Sequence, residues 1–197
     1  MSRMPSARDR AGTLVSSWFH AGSGATLDAH VLIATQTVGA GGAASITFSS
    51  IPSTYKHLQV RGLVRDTNTG TSIGGFAYQL NGDSGSNYAW HLLKGDGTSA
   101  ASTGSATTMF LNSTFGAPAD GTLANAYGAS VLDILDYAST SKYKTARRLE
   151  GVDLNGSGSV GIVSGVWMNT AAVTSVSIIA AFTGFKQYST FALYGIA

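Results

Sequence analysis

Cysteine is absent from all 197 residues. Neither disulfides nor cysteine-held metal sites can therefore contribute, and the redox compartment is left open. Charge is scarce as well, at 11% of residues against about a quarter in an ordinary globular domain. The polar surface must come instead from Ser, Thr, Asn and Gly. A surface with few repelling charges suits close packing in an assembly. The net charge of +2 rests on few groups. With no Lys/Arg stripe interleaved with aromatics, nucleic acid is not an expected partner. No run of eighteen apolar residues occurs, so no membrane-spanning helix and no membrane partner are expected. Arg3, Arg8 and Arg10 precede only a short apolar stretch, broken by Ser16, Ser17 and His20, which argues against a secretory signal.

What the chain does have is apolar content of 44%, enough to bury a core, arranged mostly with period two. In SITFSSIPSTYKHLQVRGLVR (45–65), Ile46 and Phe48 alternate with Thr47 and Ser49. Further on, Leu58, Val60 and Val64 alternate with His57, Gln59, Arg61 and Arg65. Pro52 cannot donate to a ladder, so it marks the connection between two strands. About ten such runs follow from residue 29 onward. They include HVLIATQTV (30–38), GFAYQLNG, NYAWHLLKG, a weaker TTMFLN (107–112), GASVLDILDY (128–137), KYKTARRLEGVD (142–153), SVGIVSGVWM, VTSVSIIAAF (173–182) and STFALYGIA (189–197). Asn81-Gly82-Asp83, Gly95-Asp96-Gly97 and NGSG (155–158) read as turns. A turn centred on Ser139-Thr140-Ser141 sets Asp136 opposite Lys144 and Asp133 opposite Arg147, as exposed cross-strand ion pairs. Residues 98–127 read as the longest irregular region. The expected fold is all-β, a jelly-roll-like antiparallel β-sandwich over residues 29–197.

Residues 1–28 read differently. Leu14, Val15, Trp18 and Phe19 share one face of a short helix that Gly12 weakens. An apolar face with little core of its own suits an N-terminal docking arm; the bland reading is a frayed terminus that folds Trp18 back onto its own domain.

Catalytic chemistry is hard to assemble from this sequence. Gly156-Ser157-Gly158-Ser159-Val160-Gly161 matches GxGxxG, but a strand follows where a dinucleotide site needs a helix. Asp153-Leu154-Asn155-Gly156 copies the start of a calcium loop, yet the twelfth position is Ser164. His20, His30, His57 and His91 show no metal spacing. No GxSxG elbow is present, and Asp133 and Asp136, three apart on a strand, point to opposite faces. The expectation is a protein that is not an enzyme and has no cofactor and no metal. Trp90 and Trp167 read as core. Ligand- or partner-facing candidates are His57, His91, Tyr127, Tyr137, Tyr143 and Tyr188, because aromatic rings stack on sugar faces and anchor interfaces.

Five segments carry a resemblance: SITFSSIPSTYKHLQVRGLVR, LNGDSGSNYAWHLLKGDG, GASVLDILDYASTSKYKTARRLEGVD, SGVWMNTAAVTSVSII and GFKQYSTFALYGI. Together, across about residues 31–197, they resemble a family of tailed-bacteriophage virion proteins. The resemblance implies a jelly-roll structural protein of the phage particle, a minor tail or capsid-decorating protein, with no catalytic residue. Residues 1–28 fall outside it. The expectation is then a non-enzymatic virion protein, attached to phage capsid or tail proteins by its arm and associating as a homotrimer. One alternative is a receptor-recognition module for host surface glycan, and another is a hydrolase acting on such glycans.

Overall fold

The computed structural model describes residues 29–70, 72–108, 111 and 115–197. The docking arm expected over residues 1–28, with Leu14, Val15, Trp18 and Phe19, lies outside them. The described residues hold no helix and thirteen strands, every pairing antiparallel. In chain order these are β1 (His30–Thr37), β2 (Ser45–Phe48), β3 (His57–Val64), β4 (Ile73–Gly74), β5 (Phe76–Leu80), β6 (Tyr88–Gly95) and β7 (Ala100–Thr108). They continue with β8 (Ala117–Pro118), β9 (Gly128–Leu135), β10 (Lys144–Asp153), β11 (Gly158–Trp167), β12 (Val176–Ala180) and β13 (Thr190–Ile196). Eight of them form one wide sheet in the order β1-β13-β3-β9-β10-β11-β6-β7, faced by a three-stranded sheet β2-β12-β5 and a short pair β4-β8. This is the jelly-roll-like β-sandwich expected from the periodicity.

Each layer buries alternate residues. Leu58, Val60 and Val64 of β3 meet Phe76, Tyr78 and Leu80 of β5 and Ile178 of β12, all fully buried in one core. The Pro52 connection crosses from the small sheet to the large one, since β2 and β3 belong to different layers. A second cluster of Trp90, Leu92, Phe115 and Val163 fills the region beneath β6 and β11. Glycines on β11 make room there. A side chain at Gly161 would collide with the Phe115 ring, and one at Gly165 with Leu111.

Three local readings change. β7 lies at Ala100–Thr108, where the sequence shows a Ser/Thr/Ala/Gly-rich tract. Its pairing with β6 outweighs weak intrinsic propensity, and Asp96 seeds the hairpin by accepting the amides of Thr98 and Ser99. Of the expected strand at 107–112, residues 109, 110 and 112–114 lie outside the described residues. Arg65, expected on the wet face, is buried: its guanidinium donates to Leu123 O at 2.9 Å, Ala126 O at 2.5 Å and Asp120 O at 3.0 Å.

The third change concerns β10, which turns charged residues inward. Its buried positions are Lys144, Ala146, Arg148, Glu150 and Val152. The Lys144 ammonium is held by the carbonyls of Lys142 and Thr170, and burial pushes its pKa down. The Asp–Arg register is as read, with Arg147 opposite Asp133, but neither expected ion pair forms. Asp133 instead accepts from Gln59, and Asp136 pairs with Lys142 at 2.5 Å. Arg148 lies 3.8 Å from the centre of the Phe76 ring and 5.1 Å from that of Tyr78. It donates to Phe76 O and Ser130 Oγ and pairs with the buried Glu150 carboxyl. Desolvation raises the Glu150 pKa to about 8, more than Arg148 lowers it.

Folded Glu150 thus holds its proton more tightly than the unfolded chain, whose value lies near 4.5. Its contribution to stability is complete below that value and declines as pH rises to about 8. The wild-type melting temperature is expected to fall across this window, and Glu150→Gln to remove most of the fall; parallel pH profiles for the two proteins would show this account wrong. Gly161→Ala is expected to cost about 1–3 kcal/mol by overpacking against Phe115, read as a lower denaturation midpoint. An unchanged midpoint would mean the ring is not seated there.

Candidate functional site

The inward face of the wide sheet is filled, but its outward face meets no other layer among the described residues. Strand register arranges that face in rows running across the strands. One row reads Leu93 (β6), Ile162 (β11), Leu149 (β10), Val131 (β9) and Arg61 (β3). The next reads His91, Ser164, Arg147, Asp133 and Gln59. On the other side lies Gly95, Val160, Gly151, Ala129 and Leu63. Leu63, Leu93, Leu149, Val160 and Ile162 are each more than half exposed. Between the first two rows runs an open hollow of about 660 Å³, lined by His91, Leu93, Val131, Arg147, Leu149 and Ile162.

Polar groups fix one flank of this hollow. Arg61 Nε donates to Gln59 Oε1 at 2.7 Å, and Gln59 Nε2 donates to Asp133 Oδ1 at 2.8 Å. The Arg61 guanidinium also stacks 4.5 Å from the centre of the Tyr194 ring. This chain ties β3, β9 and β13 together on the outside. Arg147, opposite Asp133, bonds to nothing among the described residues and is available to a partner. His91 rests against Gly104 of β7, where any side chain would strike its ring.

The six residues singled out from the sequence fall in several places. His91 lines the hollow. His57 lies on the same face near its end, and its Nδ1 accepts the Asp136 amide at 2.9 Å. The 3.6 Å approach of Asp136 Oδ1 to that acceptor nitrogen is therefore not an ion pair. Tyr127 and Tyr188 come together around a separate cavity of about 190 Å³, which Asp120, Asn125 and Lys186 also line. The Tyr127 hydroxyl donates to Gln187 O at 2.7 Å, while Tyr188 is 67% exposed on a backbone with φ of 69°. Tyr143 is exposed beside the turn before β10. Tyr137 is not a surface contact. It is fully buried, and its hydroxyl donates to Pro52 O and accepts the Tyr55 amide, pinning the crossing between layers. Trp90 and Trp167 are core, as read, and Trp167 Nε1 donates to Asp83.

The sequence reading missed Leu63, Leu93, Leu149, Val160 and Ile162 as a surface. Its signal was available: YAWHLL and SVGIVSGVW carry apolar residues at both parities, the pattern of a strand covered on both faces. Among the described residues no group of three or more His, Asp or Glu side chains lies close enough to hold a metal ion. No family model matches the chain, and no curated protein matches it.

An outward row that only meets water adds little to the isolated fold. At concentrations that keep the chain monomeric, Leu149→Thr is expected to change unfolding free energy by less than about 0.5 kcal/mol. Leu132→Ala, one strand away but facing in, is expected to cost about 2–5 kcal/mol. Equal losses in urea titration would place Leu149 in a core.

Proposed function

We propose that this chain is a non-enzymatic structural protein of a tailed-bacteriophage particle, of the minor tail or capsid-decorating kind. Residues 1–28 attach it to capsid or tail proteins, and the β-sandwich is displayed at the virion surface. The observation that carries this reading is the bare apolar face, which spans the middle of an eight-stranded sheet. Contiguous exposed apolar surface marks a contact site with other macromolecules. The low charge of the chain and the five phage-like segments support the same reading.

A second reading, recognition of host glycan, is favoured by the Tyr127–Tyr188 cavity alone. It offers an exposed ring for a sugar face beside Asp120 and Asn125. Binding on a glycan array that is lost in Tyr188→Ala would support it, and no binding at high protein concentration would remove it.

Purified particles provide the main test. The chain is expected to co-purify with virions through a density gradient, and particle reconstruction is expected to show a sandwich with one eight-stranded sheet in repeated copies. Particles that lack the chain would overturn the proposal.

A further inference from the structure

The bare face is self-complementary, and we infer that its occupant is a second copy of this chain, related by a two-fold axis. This deepens the reading of that face as a contact surface and rests on it. The axis runs parallel to the sheet just outside its outward face, along the strands and midway between β10 and β11. It lays β10 over the second copy's β11, β9 over its β6, and β3 over its β7.

The apolar row then matches itself. Leu149 meets Ile162 of the second copy, and Val131 meets its Leu93. The polar row pairs by charge and hydrogen bonding under the same operation: Asp133 faces the second copy's His91, and the unpaired Arg147 faces its Ser164. The third row sets large against small. Val160 faces Gly151, and Ala129 faces Gly95. Beyond the polar row, Leu135 faces Ala89 and Val166 faces Thr145. Moving the axis by half a strand spacing, onto β10, would set Arg147 against itself; moving it the other way, onto β11, would set Asp133 against Gly104 and Arg147 against His91. The His91–Asp133 pairing therefore belongs to the placement between them, and twisted sheets pack face to face in this near-aligned way.

The area suffices. Six overlapping strands at about 4.8 Å, each about 26 Å long, cover roughly 750 Å² on each copy. A stable interface buries about 800 Å² per partner. A patch that pairs with itself specifies a two-fold contact, whereas rings of three join different patches. The face thus specifies a pair where the sequence led to an expectation of three-fold association. β1 and β13 overhang the footprint, which leaves Leu32 outside it although it too is more than half exposed.

Light scattering of the full chain is expected to give twice its 20.2 kDa mass. Ile162→Glu is expected to weaken the dimer by about 100-fold or more, while Leu32→Glu leaves it intact. His91→Asp, which sets two carboxylates face to face, is expected to weaken it, and the exchange of His91→Asp with Asp133→His to restore much of the loss. Circular dichroism checks that each variant is folded. In this cysteine-free chain, Ile162→Cys is expected to label slowly with a maleimide at high concentration and quickly on dilution. A monomer, a trimer or a dimer indifferent to Ile162→Glu would overturn the inference. So would a monomer with Cys at 162 protected at every dilution, since another part of the same chain would then cover the face. Failure here with the chain still found in particles leaves the structural role standing; a dimer absent from particles does the reverse.

Discussion

A mismatch of width governs this structure: eight strands on one side, three on the other. A three-stranded layer can cover only part of the inward surface of such a sheet. The β2-β12-β5 layer takes the region around β3, β9 and β13, where most of the large core lies. Beneath β11 and β6 the covering among the described residues comes from the loop side chains Leu111 and Phe115, with Ile73 of the β4-β8 pair beside Phe115. Gly161 of β11 follows from that arrangement, because a ring lying directly on a strand excludes a Cβ there, and Leu111 makes the same demand at Gly165. The wide sheet also sets the size of its own outer surface, which is why the exposed apolar face is large although the chain is not.

Burying charge on β10 is a related consequence. Arg148 occupies an inward position beneath the small sheet, where an aliphatic residue would be conventional. Its guanidinium stays acceptable because two aromatic rings, a carbonyl, a hydroxyl and Glu150 surround it. A buried pair of this kind is weak evidence of stability in itself. It does fix which face of β10 points inward, and with it the outward placement of Arg147 and Leu149.

The sequence made the sandwich legible because period two is strict in β2 and nearly so in β3, and burial does alternate along β2, β3, β9 and β13. The outward apolar face was harder to read. On β10 the charged parity goes in and Leu149 goes out, so hydrophobicity alone points the wrong way. On β11 two of the four buried positions are glycines, Gly161 and Gly165, made necessary by Phe115 and Leu111, side chains more than forty residues earlier that no local pattern shows. Tyr137 looked like a surface aromatic because its partners, Pro52 and Tyr55, lie some eighty residues earlier. The register of β9 on β10 was legible, yet its ion pairs were not, because Gln59 from a third strand claims Asp133.

The order of strands in the wide sheet bears on how the chain is made. β13, thirteenth along the backbone, inserts between the first and the third. Until it arrives, β1 has no neighbour in that sheet among the described strands, and β3 presents a bare rim of amides and carbonyls. Assembly therefore waits on the most distant segment, a slow, non-local closure. During synthesis the unfinished rim is the place where nascent chains are most exposed to pairing with one another.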